Sequence, residues 1–182
     1  MYVLTEGLSR RIYSLSDIRV LVLSLVIFMG MIVFVLPVQS SQLPGDSPDL
    51  SIIYTVEDLY NIAENYGDEG RAKYIQARVT FDVIWPIVYS AFLASGISWS
   101  FPHGSWSNSR WRYANILPVI ALLFDYLENG ATIAVMYRYP LRTPVIDIAA
   151  TVFTPLKWFS LGLSFILLLI GLGKALWNRY RQ

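Results

Sequence analysis

The chain has 182 residues, of which 55% are hydrophobic and only 15% charged, with a formal net charge of +1. So little charge argues against a disordered tail, a nucleic-acid binder with its basic field, and an ordinary soluble enzyme. No cysteine and a single histidine exclude disulfides, thiolate chemistry and any metal centre built on several imidazoles.

A hydrocarbon core of about 30 Å needs about 20 mostly apolar residues in a helix. The first stretch of that kind covers residues 20–38, behind Arg19. It is longer than the apolar core of a signal peptide, so it is read as an uncleaved span. Residues 39–78 follow as an outer loop. Gln42 to Asp49 is rich in turn formers, and Thr55-Val-Glu-Asp58 has the form of a capping box, with a shorter carboxylate than usual. Val56, Leu59, Ala63 and Tyr66 then recur at helical spacing. They predict a short amphipathic helix, stopped by Gly67-Asp-Glu-Gly70, with a new helix starting at once and continuing into span two. It either rests on the bundle or forms a lid.

Span two is predicted over 79–99, span three over 114–137 and span four over 148–172, where Gly171-Leu-Gly173 reads as a fraying end. His103-Gly-Ser105, between spans two and three, reads as a turn rather than part of a hydrolase site. The expected fold is all-α, a single membrane domain over 1–182. It is a four-helix transmembrane bundle with the short amphipathic helix between spans one and two.

Basic residues set the orientation. Arg10, Arg11, Arg19, Arg110, Arg112, Lys174, Arg179 and Arg181 fall on one side. Arg71, Lys73, Arg78, Arg138 and Arg142 fall on the other, where acids outnumber them. Trp99, Trp111, Tyr113, Trp177 and Tyr180 mark the inner boundary, and Tyr137 and Tyr139 the outer one. The expectation is a multi-pass protein of the cell membrane with both termini cytoplasmic.

The charges inside the spans carry the functional signal. Arg71, Tyr74, Arg78, Asp82, Trp85, Tyr89 and Gly96 fall within an arc of roughly 80° on helix two. Pro118, Asp125, Glu128, Asn129 and Thr132 fall within roughly 100° on helix three. Lys157, Ser160 and Ser164 share a face of helix four, with Thr154 at its margin. A charge at the bilayer centre costs from about 2.5 kcal/mol upward, and such residues turn inward and pair. The stripes are therefore expected to face one another. Arg78, Asp82, Asp125, Glu128, Asn129 and Lys157 form the polar cluster, and Tyr74, Trp85, Tyr89, Thr132 and Ser160 are candidate lining residues of a pocket. Three acids against one or two bases imply that at least one carboxyl carries a proton.

Several roles fit this pattern. The cluster can fix helix register, or bind a lipid or small amphipathic molecule, or scaffold a partner protein. It can also serve membrane-embedded catalysis, with Asp82, Asp125 and Glu128 as an acid–base pair or an oxygen-only Mg²⁺ or Ca²⁺ site and Lys157 as electrophile or base. Proton- or cation-coupled transport ranks lower, because four spans lack the repeat halves of secondary transporters. No cofactor motif occurs. The bilayer is the expected partner, with a lipid or amphipathic ligand and no nucleic acid.

The stretch Gly70-Arg71-Ala-Lys-Tyr74, Asp82, Pro86 and Tyr89, followed by Phe124-Asp125-Tyr-Leu-Glu128-Asn129, resembles a pattern in uncharacterised prokaryotic four-span membrane proteins. It covers about a third of the chain, implies the four-span topology and implies no activity. The two-acid pattern is also similar to that of the four-helix sterol-isomerase and sigma-2-receptor superfamily, which binds sterols between its helices. Acid spacing and aromatic placement depart from that pattern here, so no residue roles carry over.

Overall fold

The computed structural model describes residues 2–41, 47, 48, 51–103 and 110–181, and among them it is all helical with no strand. Six α-helices follow in order: α1 (Tyr2–Leu15), α2 (Ile18–Gly30), α3 (Leu36–Ser40), α4 (Val56–His103), α5 (Leu117–Arg138) and α6 (Ile146–Tyr180). Among the described residues, four stretches are long and apolar enough to cross a membrane: Ile18–Gln39, Val56–Pro102, Tyr113–Arg138 and Ile146–Tyr180. The predicted turn-rich segment from Gln42 to Asp49 lies outside the described residues except for Ser47 and Pro48, and the predicted turn after His103 lies outside them entirely.

Between α2 and α3 the helix widens into a π-turn over Met31–Val35, where the Leu36 N–H bonds to the Met31 carbonyl. Pro37 explains it. A proline has no N–H to give and its ring crowds the carbonyl four residues back, so one wider turn relieves the clash.

The helix predicted at 56–66 and span two run on as one element, α4, interrupted at Gly67 alone (φ 59°, ψ −176°). Its start is a reciprocal capping box: the Asp58 N–H donates to Thr55 Oγ1 at 3.1 Å, and the Thr55 N–H donates to the Asp58 carboxylate at 2.8 Å. The break lasts one residue because only glycine adopts this backbone region without strain.

One expectation is corrected. α6 does not end at Gly171-Leu-Gly173 but continues to Tyr180, because Gly171 packs against Ser100 and Phe101, where an added Cβ would clash. Close approach at small residues is a common way for apolar helices to pack. The 14-residue helix α1 was not predicted at all.

The chain divides into two compact units. The first comprises Met1–Met29, Ile87–Ala121 and Phe159–Gln182. Here Ser9 Oγ donates to Asn115 Oδ1 at 2.9 Å, and the Asn115 amide donates to the Ser9 carbonyl and to Ser98 Oγ. These bonds tie α1 to α4 and to the 3-10 turn Arg110–Ile116. The Ser24 and Ser95 hydroxyls meet at 3.0 Å, and Phe28 stacks on Phe92.

The second unit comprises Gly30–Pro86 and Leu122–Trp158. Its apolar core contains Tyr54, Leu59, Tyr60, Ala63, Tyr66 and Tyr74, packed with Ala131, Val135, Met136 and Ala150. Leu59, Ala63 and Tyr66 supply one buried face of the first segment of α4, while Glu57, Asp58, Asn61 and Glu64 are exposed. The Tyr60 hydroxyl accepts from the Thr143 N–H at 2.7 Å, and the Arg142 guanidinium lies 4.1 Å from the Tyr60 ring centroid. These contacts hold that segment against the approach to α6.

Candidate functional site

The charged stripes of α4, α5 and α6 converge in the second unit. On α4, Arg78 and Asp82 are one turn apart and form a buried ion pair. The other end of the Arg78 guanidinium donates to Ser47 Oγ at 3.2 Å, and its carbon lies 4.5 Å from the centre of the Tyr74 ring. A planar cation suits this combination of fork and aromatic face.

On α5 and α6, Glu128 and Lys157 form the second ion pair. Glu128 is 0% exposed. Its other carboxylate oxygen accepts from Thr154 Oγ1 at 2.6 Å. Thr154 precedes Lys157 by three residues, so one face of α6 grips both oxygens of one carboxylate. The Tyr54 hydroxyl lies 3.1 Å from Thr154 Oγ1. Thr154 is the donor in both contacts, so its one proton is shared between the Tyr54 oxygen and the Glu128 carboxylate. Burial pushes the Tyr54 hydroxyl well above the ordinary phenol range, outweighing the lowering effect of the Thr154 hydrogen bond, and the nearby Glu128 charge adds to the rise. Tyr54 therefore keeps its proton.

Asp125 accepts from the Asn129 amide at 3.0 Å, and Asn129 Oδ1 is buried without a hydrogen-bond partner among the described residues. The Thr132 hydroxyl is near two carbonyls of its own helix, those of Glu128 and Asn129. The Tyr126 hydroxyl donates to the Val83 carbonyl at 2.7 Å, fixing α5 against α4 beside Asp82. Although each acid has its own partner, the charges act together: Asp82, Glu128 and Asp125 bear on Arg78, and Asp125 and Lys157 bear on Asp82.

All six residues expected in the polar cluster are buried and belong to this unit. The lining candidates divide. Tyr74, Trp85 and Thr132 belong to the second unit, whereas Tyr89 and Ser160 belong to the first. The helix stripes run through residues of both units. Trp85 stacks on Phe81 with centroids 6.0 Å apart. Ser160 is buried, and its carbonyl accepts from Ser164. Among the described residues, no three histidine or carboxylate side chains come together as a metal-ligand group, so Asp82, Asp125 and Glu128 do not build the oxygen cage weighed from the sequence.

Sequence reasoning missed Tyr54 and Ser47, which lie outside every predicted span and carry no periodic signal. Thr154 was placed only at the margin of its stripe, yet its spacing from Lys157 was enough to find it. No protein-family model, curated protein or solved structure matches the chain.

Proposed function

We propose that this is a multi-pass protein of the cell membrane, crossing four times with both termini cytoplasmic. Its cluster of Arg78, Asp82, Asp125, Glu128, Asn129 and Lys157 recognises the polar head of a lipid or small amphipathic ligand. The observation that carries this reading is the complete burial of Glu128 between Lys157 and Thr154. A buried ion pair adds little stability over apolar residues of the same volume, and ionisable groups at membrane depth mark sites of function by default. The acid–base alternative finds less support, because Asp82, Glu128 and Asp125 are each engaged by a different side chain rather than by one another.

The test compares thermal unfolding of the purified protein with that of Asp125→Asn and Glu128→Gln, with and without lipid extract. A ligand at 100 times its Kd stabilises by about 2.7 kcal/mol. Lipid extract is expected to raise the melting temperature of the native chain by several degrees and that of the variants by less. If both variants melt with the native chain and lipid shifts none of the three, the reading fails.

A further inference from the structure

The first unit holds a groove of about 400 Å³ whose lining includes none of the charged-cluster residues. Thr5 of α1, Trp111, Tyr113 and Ile116 of the 3-10 turn, Leu117 of α5 and Leu167 of α6 contribute to its walls. These walls are aliphatic and aromatic apart from the hydroxyls of Thr5 and Tyr113. Trp111 is 54% exposed. It stands between Arg110 and Arg112 in sequence, and no acidic residue occurs from Trp99 to Phe124. An apolar slot with a half-exposed tryptophan inside a basic stretch matches two needs of one molecule. The slot takes a hydrocarbon chain, and the basic stretch favours a negative headgroup beside an interfacial aromatic.

We propose that this groove holds an acyl chain of an anionic phospholipid, with the phosphate at the level of residues 110–112. The proposal rests on the membrane reading above but not on the charged cluster. A basic stretch with two arginines and no acid favours an anionic over a zwitterionic head by roughly tenfold or more.

Native mass spectrometry of the detergent-purified chain, with phosphatidylglycerol and phosphatidylcholine of identical acyl chains, reads that preference directly. The native chain is expected to retain phosphatidylglycerol roughly tenfold better. The double variant Arg110→Gln/Arg112→Gln is expected to retain the two equally, and Leu117→Trp, which fills the slot, to lose both. Equal retention by the native chain overturns the proposal, as does undiminished phosphatidylglycerol binding by Leu117→Trp. Phosphatidylglycerol with a photoactivatable acyl chain gives a second readout on the native chain that needs no folded variant. Labelling of peptides containing Thr5 and residues 111–117 supports the groove, and labelling confined to exposed span residues such as Phe34 and Phe159 overturns it. Alkaline carbonate extraction of the source membranes separates the two readings. A chain released to the supernatant refutes both, whereas one that stays in the pellet without lipid selectivity refutes the groove alone.

Discussion

Lys157 on α6 and Glu128 on α5 meet as an ion pair whose side chains are 6% and 0% exposed. Thr154, one turn before Lys157, holds the second oxygen of the same carboxylate. Removing one partner leaves an uncompensated charge in a low-dielectric interior, a loss of about 3–5 kcal/mol. Lys157→Met is therefore expected to be strongly destabilised in denaturant titrations of the purified protein, and Glu128→Leu likewise. The double variant Glu128→Leu/Lys157→Met is expected to lose less than either single one, because no charge is stranded. A double variant as unstable as the sum of the singles would show that the two side chains are not coupled, and would remove the ion pair from the account.

Thr154→Val deletes the hydroxyl between Tyr54 and Glu128 while keeping its shape, leaving a buried carboxylate oxygen and a buried phenol each short of a partner. A cost of about 1–3 kcal/mol is expected, and Thr154→Ser is expected to recover most of it. Equal stability of the valine and serine variants would remove the Thr154 hydroxyl from the account.

Tyr54 gives the unit an alkaline limit. Its hydroxyl is held well above the phenol range in the folded chain and titrates near pH 10 once unfolded. Above that pH the unfolded state has released a proton that the folded state keeps, so stability falls as pH rises. The contribution is fully present below pH 10 and is lost progressively above it. Melting temperatures measured from pH 8 to 11 are expected to fall less steeply in Tyr54→Phe than in the native chain.

Two backbone positions predict opposite signs. Gly67 in α4 has φ 59° and ψ −176°, a region almost reserved for glycine, so Gly67→Ala is expected to cost about 1–3 kcal/mol. Val145, just before α6, has φ 77°, where a β-branched residue is strained. Val145 is exposed, so Val145→Gly removes strain without leaving a cavity and is expected to raise the melting temperature. A fall there, or an unchanged Gly67→Ala, would contradict the conformations described.

Arg78→Lys keeps the charge but cannot reach Asp82 and Ser47 together or lie flat on Tyr74. It is expected to be less stable than the native chain by about 1–2 kcal/mol, with Arg78→Met worse because Asp82 is then buried alone. Equal unfolding midpoints for the lysine variant and the native chain would reduce Arg78 to a simple counter-charge.

The sequence by itself determined the features that local chemistry controls. Runs of apolar residues set the four long helices, and the i, i+4 spacing put Arg78 beside Asp82 on one turn. The capping box at Thr55 was likewise readable, because donor and acceptor lie within one helical turn. Only the tertiary structure decided that Lys157 takes Glu128, and that Asp125 is left to Asn129. Such pairings depend on the axial register and rotation of one helix against another. Those are set by close packing elsewhere in the same unit, such as that of Ala131 and Ala150 in its apolar core, which no periodicity encodes. The same reason explains Tyr54, which reaches Thr154 across 100 residues of chain, and the assignment of Tyr74 and Tyr89, on one stripe of α4, to different units. Periodicity fixes which face of a helix turns inward, and packing fixes what it meets there.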